Sequence, residues 1–166
     1  PAVMHGKRRV FVFAGGESEP ATGGLMSIDP ATGRVDFSFP WRSRSHESVN
    51  ASCPVIFDNK VFISASYRTG GALLEVKPDF SHRVVWTTQE FGLHFNTAIH
   101  QNGYLYGFDG RNEPDASLAC VNAARVVFVG LGWDSELIVC DNNSTDGTAA
   151  IGRAAGARVV FEPLNQ

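Results

Sequence analysis

A hairpin-like pattern recurs three times in the first two thirds of the chain. Each copy is an apolar run, a polar turn and a second alternating run, and the copies begin at Pro1, Pro54 and Ala98. The dipeptides Asp58-Asn59 and Asn102-Gly103 are typical of hairpin turns of two residues. This repetition constrains the fold more than any other feature, because a repeated unit buries its apolar face only against its neighbours.

A second pair of strand-like runs recurs between the hairpins. Residues 24–37 match residues 72–86, and a third copy begins at Ser117. Together with the hairpins, which align Val10 with Val61 and Tyr104, this predicts a unit of four short strands. Its period of about 45 to 50 residues is that of β-propeller blades.

The turn inside this second pair is best defined in the first copy, Asp29-Pro30-Ala31-Thr32-Gly33. Proline fixes φ for the turn, and Gly33 is suited to positive φ, so the two strands can reverse tightly. The second copy keeps Pro78 but has no glycine, so a longer turn is predicted there.

The run Ile28–Val35, a strand followed by Asp-Pro-Ala-Thr-Gly and a second strand, resembles the blades of pyrroloquinoline-quinone-type (PQQ-like) β-propellers. Trp86 and Phe37 fall where that family has an aromatic side chain wedged between blades. The resemblance covers residues 1–123. It implies a mainly β fold, an incomplete propeller of about two and a half antiparallel blades of four strands.

The PQQ-like resemblance leaves function open, since the family includes quinone-dependent dehydrogenases as well as scaffolds without a cofactor. The enzymes use PQQ with calcium, held by ligands from many blades, and closure needs at least four blades. We therefore expect a non-catalytic scaffold or interaction module without a cofactor. Unpaired blade edges predict a protein partner or self-association.

Five polar residues precede the repeated hairpins, where blade loops would approach a central axis: His46, Glu47, Asn50, His94 and Asn96. One interpretation is a polar funnel that binds a ligand. The alternative, which we favour, is a set of solvated loop residues or hydrogen-bonded struts between blades.

Further predictions concern the remaining histidines, the basic run and the cysteines. We expect His5, His82 and His100 to be solvated in turns, and the basic run 7–9 to be a solvated turn. The cysteines Cys53, Cys120 and Cys140 are expected to be small buried residues, since their number is odd and their spacing fits no metal site.

The pattern changes after Ala123. Residues 136–140 and 157–161 are apolar runs typical of buried parallel strands. Between them, the alanine-rich residues 148–155 predict a short helix that ends before Gly156. Residues 124–166 are therefore predicted to contain a small βαβ unit.

The run 136–140 and the loop that follows it, Asp141–Thr148, resemble the nucleotide-sugar-binding loop of family 2 glycosyltransferases. The agreement continues through the helix and second strand. The resemblance implies a nucleotide-diphospho-sugar ligand with a divalent metal, and the implied binding residues are Asp141, Asn142, Asn143, Ser144 and Asp146. Without the resemblance, the same residues are explained as a turn and a helix cap.

Activity is not expected from the transferase-like segment. In that family the metal-binding Asp-x-Asp, the acceptor pocket and the catalytic base come later in the chain, so no catalytic residue and no metal ligand is expected here. Residues 104–124 fit either family, because Glu113 stands about where the transferases complete the nucleotide pocket; we favour the propeller. Any UDP-sugar should bind weakly.

Composition limits the partners. The formal net charge of −3 gives no reason to expect nucleic acid. No apolar run approaches the ~18 residues that cross a bilayer, so no membrane span is expected. The sequence thus predicts a composite of two family-like segments.

Overall fold

The computed structural model describes residues 1–111, 116–124, 138–141, 150, 153 and 158–161. It contains two compact units, Pro1–Phe128 and Val129–Gln166. Asn142–Ser144, Asp146 and Glu113, and most of the predicted helix over 148–155, lie outside the described residues. Of that helix, Ala150 and Arg153 are described, and both are helical.

The described part of the first unit is built from β-strands joined by turns and loops. In chain order the strands are β1 (Ala2–Met4), β2 (Lys7–Ser18), β3 (Ala21–Ile28), β4 (Val35–Pro40), β5 (Val55–Phe57), β6 (Lys60–Ala65), β7 (Gly70–Val76), β8 (His82–Thr88), β9 (Ile99–Gln101), β10 (Tyr104–Asp109) and β11 (Ser117–Asn122).

These strands form three antiparallel sheets in which neighbours in sequence are neighbours in space. Sheet 1 has the order β1-β2-β3-β4, sheet 2 the order β5-β6-β7-β8, and sheet 3 the order β9-β10-β11. The prediction of a mainly β fold is confirmed. Residues 104–109 and 117–122 pair antiparallel with each other in sheet 3.

A turn of two residues sets the register at the start of every sheet. The pairs that flank the turns are Met4 with Lys7, Phe57 with Lys60 and Gln101 with Tyr104. Asp58-Asn59 and Asn102-Gly103 are thus turns, as predicted. Asn102 and Gly103 both have positive φ, 50° and 82°, which a tight hairpin of this kind requires.

The second type of turn differs from the prediction in one copy. Gly33 has a φ of 74°, as expected, and its N–H donates to the carbonyl of Asp29. The turn without glycine is not longer, because Phe80 itself takes positive φ (63°). Burial of Phe80 beneath the Arg9 guanidinium, 3.6 Å from its ring centre, offsets that backbone cost.

The first apolar cluster lies between sheets 1 and 2. Its buried members come from one face of each sheet and from the turn before β8. They are Met4, Phe11, Phe13, Leu25, Phe37, Val61, Ile63, Ala65, Ala72, Leu74, Val76 and Phe80.

The second apolar cluster lies between sheets 2 and 3. Its buried members are Phe62, Leu73, Trp86, Phe91, Leu93, Ala98, Leu105, Val121 and Ala123. Sheet 2 is therefore covered on both faces, and its central strands are apolar at consecutive positions. Val61 faces sheet 1, whereas its neighbour Phe62 faces sheet 3.

The three sheets stack in the same orientation. Arg8, Val61 and Leu105 are each the second residue after the first turn of their sheet. Val61 packs toward sheet 1 and Leu105 toward sheet 2. We call this face of each sheet its back and the opposite face its front. The front of each sheet packs on the back of the next.

Aromatic side chains close both junctions between sheets. Phe37 and Trp86 are buried there, as predicted. The indole N–H of Trp86 donates to the carbonyl of Ala123 at 3.1 Å. Trp41, which the sequence did not single out, makes the matching bond to the carbonyl of Gly70 at 3.0 Å.

Several polar residues lie elsewhere than predicted. Residues 7–9 belong to strand β2 rather than to a turn, and Arg9 is buried. His82 and His100 lie in strands. The His82 ring packs at a tilt against Phe37, and the His100 ring stacks on Phe57. His5 lies in a turn as expected.

The cysteine prediction is also wrong in part. Cys53 is exposed and Cys120 is half-buried, because Cys53 lies in the loop before β5 and Cys120 on the outer face of sheet 3.

The described part of the second unit has two strands, β12 (Ile138–Asp141) and β13 (Arg158–Phe161). They pair in parallel, with Ile138 opposite Arg158 and Asp141 opposite Phe161. The parallel pairing of these two predicted runs is confirmed.

Candidate functional site

A cavity of about 520 Å³ opens among the loops that connect the three sheets. Its lining comes from the β4–β5 loop, the β6–β7 turn, the β8–β9 loop and the end of β10. The lining residues are Glu47, Val49, Tyr67, His94, Phe95 and Arg111. Two of the five loop residues that the sequence singled out, Glu47 and His94, are thus brought together.

His94 is the buried polar group of this cavity. Only 4% of it is exposed, its ring lies against Phe95 with 3.8 Å between centroids, and Tyr67 meets it edge-on. Burial lowers the pKa of His94, so the imidazole is neutral at pH 7. The backbone of Arg111 lies close enough to oppose this shift, but neither ring nitrogen has a well-formed hydrogen bond among the described residues.

Arg111 contacts two other residues at the rim of the cavity. Its guanidinium lies 3.5 Å from the Glu47 carboxylate and 4.9 Å from the centre of the Tyr67 ring. The Tyr67 hydroxyl donates to the carbonyl of Glu47 at 3.3 Å. Because both ions of the pair are largely exposed, the contact contributes little to stability and leaves the rim able to rearrange.

The two asparagines among the predicted residues are struts. Asn50 donates to the carbonyls of Ala14 and Trp41, and so fixes the β4–β5 loop to sheet 1. Asn96 both donates to the carbonyl of Phe108 and accepts from its N–H, so it pairs with strand β10 like an added strand residue. For these two, the favoured interpretation of hydrogen-bonded struts holds. His46 is exposed in the same loop as Glu47.

Tyr67, Phe95 and Arg111 were missed by the sequence analysis. They come from three separate turns and loops, and no local pattern marks them, since only the stacking of the sheets brings them to one place. A search for polar residues just before hairpins finds Glu47 and His94 but cannot find residues that follow strands.

Asp141 ends strand β12, whose partner β13 runs in the same direction. It therefore lies at the carboxyl end of a parallel strand pair, the position where α/β folds bind ligands. The other residues of the predicted nucleotide site, Asn142, Asn143, Ser144 and Asp146, lie outside the described residues.

Each end of the sheet stack exposes an apolar sheet face. The back of sheet 1 carries aliphatic side chains, of which Val3 is 67% exposed. The cross-strand pairs place on this face Val3, Val10, Val12, Met26, Ile28 and Val35, together with Arg8 and Ser38.

At the other end, the front of sheet 3 is equally apolar. Phe108 and Leu118 lie opposite each other in β10 and β11, and each is 54% exposed. The pairs place on this face Ile99, Tyr104, Tyr106, Phe108, Leu118 and Cys120, together with the polar residues Gln101 and Asn122. Burial against neighbours raises the pKa of the Tyr106 hydroxyl and of the Cys120 thiol, so both are neutral at pH 7. We call these two surfaces the end faces.

The described residues contain no group of three or more His, Cys, Asp or Glu side chains placed to hold a metal ion. In the same part of the chain, no helix is long and apolar enough to cross a membrane.

Comparison of the chain with models of protein families, with curated proteins and with solved structures gives no match.

Proposed function

We propose that the stacked sheets are of the PQQ-like β-propeller type and act as a non-catalytic scaffold that binds protein through the end faces. The observation that carries the proposal is the front-to-back stacking of three antiparallel sheets with apolar faces left exposed at both ends. Contiguous exposed apolar side chains of this kind are typical of sites of protein interaction.

The loop cavity supports binding rather than catalysis. Among the described residues, the His94 ring packs against the rings of Tyr67 and Phe95, and burial keeps it neutral. Glu47 is paired with Arg111 at the rim. These groups hold loops in place and leave the sheet faces as the larger binding surface.

A second candidate function rests on the parallel pair β12–β13. Asp141 at the carboxyl end of β12 could accept hydrogen bonds from the base or ribose of a nucleotide sugar, as the transferase resemblance implies. Since a two-stranded parallel pair gives one wall of such a pocket, we expect UDP to bind no better than about millimolar, ~4 kcal/mol.

Dye binding and calorimetry test these proposals on the whole chain. At concentrations low enough for the chain to be a monomer, an apolar dye such as bis-ANS should fluoresce on the end faces. Leu118→Glu should reduce that signal, whereas Val84→Glu, away from both end faces, should not. Absence of dye binding to a folded, monomeric chain would contradict the scaffold proposal. Micromolar binding of UDP, lost in Asp141→Ala, would instead favour the transferase function.

A further inference from the structure

We propose that the two end faces bind each other in a second copy of this chain, so that two chains close a ring of six sheets. The front of sheet 3 in each copy packs on the back of sheet 1 in the other. This inference rests on the proposed scaffold function and names its partner.

Two junctions of this kind already exist inside the chain. The front of sheet 1 packs on the back of sheet 2, and the front of sheet 2 on the back of sheet 3. The same kind of surface is thus used twice, in the same sense. The front of sheet 3 and the back of sheet 1 are the two halves of a third such junction, one at each end of the stack.

The chemistry of the end faces fits this junction. Phe108 and Tyr106 on the front of sheet 3 occupy the side on which sheet 2 presents Phe62 to its neighbour. The back of sheet 1 offers aliphatic side chains such as Val10 and Val12, as the back of sheet 2 offers Val61 and Ile63. Aromatic side chains on one face and aliphatic side chains on the other are what already pack inside the molecule.

The buried area favours a closed pair over an open chain. A face of three or four strands about 4.8 Å apart, each about six residues long with a rise of about 3.4 Å, covers roughly 300–400 Å². One junction would bury roughly 600–800 Å², the size of a crystal contact, whereas two junctions bury roughly 1,200–1,600 Å², within the range of stable complexes. Closure by two copies supplies both junctions at once.

Symmetry and sheet number agree with closure. A front-to-back contact is heterologous, so it ends only when a ring closes and otherwise continues as a filament. Two copies of the three antiparallel sheets in the described residues give six, and rings of about four to eight radially arranged sheets are the usual propeller sizes. The closed ring also leaves each end face covered.

Sedimentation of the full chain between about 1 and 100 µM tests the proposal. The mass should rise to that of two chains and no further. Phe108→Glu on the front of sheet 3 and Val3→Lys on the back of sheet 1 should each raise the dissociation constant at least tenfold. Val84→Lys on the edge strand β8 is the matched control, and should leave it unchanged. Far-UV circular dichroism checks that every variant is folded.

Mixing the two disabled variants distinguishes this contact from others. Phe108→Glu has an intact back of sheet 1 and Val3→Lys an intact front of sheet 3, so a mixture can form one good junction and should associate more tightly than either variant alone. The ring is wrong if only one of the two face substitutions raises the dissociation constant, or if Val84→Lys alone dissociates the pair. It is also wrong if the wild type stays a monomer or forms filaments.

The dye experiment separates failure of the ring from failure of the scaffold proposal. A monomeric chain that still binds bis-ANS at Leu118 keeps an accessible apolar face for another protein, and only the second copy is excluded as partner. A monomeric folded chain that binds no dye excludes both.

Discussion

Arg9 and Asp36 form an ion pair in the interior between sheets 1 and 2. Both side chains are at most 4% exposed, and the Arg9 guanidinium also lies over the Phe80 ring. Asp36→Asn keeps the shape of the side chain but removes the nearer counterion of Arg9 and leaves only Asp29, whose carboxylate lies 3.8 Å from the guanidinium. We expect the free energy of unfolding in urea to fall by at most about 3–5 kcal/mol.

The matched control for this pair is Glu75→Gln. Glu75 pairs with Arg83 in sheet 2, but the Arg83 side chain is 60% exposed, so water replaces the lost partner. The control should therefore change the urea midpoint far less than Asp36→Asn. Equal effects of the two changes would mean that the Arg9 charge is solvated.

His82 and His94 make stability depend on pH. Burial lowers the pKa of both from the usual 6.5, so the unfolded chain takes up protons before the folded chain does. The free energy of unfolding keeps this contribution above pH 6.5. It decreases as the pH falls through 6.5 toward the lower pKa of the folded state. We expect the melting temperature to drop between about pH 7.5 and 5.

The double variant His82→Gln, His94→Gln checks the source of this pH dependence. Between about pH 7.5 and 5, its melting temperature should decrease less than that of the wild type. This holds whatever its melting temperature is at about pH 7.5. An unchanged slope in the double variant would assign the effect to other groups.

At the scale of the elements, two glycines with similar φ allow the energetic cost of positive φ to be distinguished from the cost of steric overlap. Gly33 and Gly70 have φ of 74° and 78°. A Cβ on Gly33 would meet nothing within 4 Å, whereas a Cβ on Gly70 would overlap the carbonyl oxygen of Thr88 in the neighbouring strand.

Gly33→Ala should therefore cost about 1–2 kcal/mol, the strain of an alanine at positive φ. Gly70→Ala should cost at least twice as much, since β7 must move away from β8 and the carbonyl of Gly70 also accepts from Trp41. Thermal unfolding of the two variants measures the difference. Equal costs would show that the strand shifts freely.

The repeated strands and their turns could be predicted, because dipeptides such as Asn102-Gly103 act locally. The direction in which side chains face could not. The sequence aligned Tyr104 with Val61, but the turns make it equivalent to Lys60. A shift of one residue exchanges the faces of a strand, so the alignment would have buried Tyr104 and exposed Leu105.

The same reason limits what could be predicted of the site. Glu47 and His94 precede hairpins and could be found by position, whereas Tyr67 and Arg111 reach the cavity only through the stacking of sheets. Of the prediction for Asp141, the parallel pairing of β12 with β13 is confirmed. The role of its neighbours in binding a nucleotide stays a prediction.

At the scale of the whole molecule, the middle sheet couples the other two. Sheet 2 is covered on both faces. Among the described residues, the first apolar cluster therefore contains no residue of sheet 3, and the second contains no residue of sheet 1. In the same part of the chain, sheet 1 and sheet 3 each pack their apolar cluster on sheet 2. The stack of sheets should therefore unfold as one unit, although the two apolar clusters are separate.

Leu73 and Leu74 provide the sharpest test, because they are adjacent in β7 and point to opposite clusters. Both are fully buried, Leu73 against sheet 3 and Leu74 against sheet 1. Leu73→Ala and Leu74→Ala should each cost about 2–5 kcal/mol. Leu118→Ala, at a leucine that is 54% exposed, is the control and should cost less than about 0.5 kcal/mol in dilute solution.

In both buried variants, the urea transitions followed by circular dichroism and by tryptophan fluorescence should shift together and stay coincident. The reason is that loss of either cluster removes a neighbour of sheet 2 and unfolds the stack. A transition that splits in two in Leu73→Ala, with sheets 1 and 2 surviving the loss of sheet 3, would contradict this coupling.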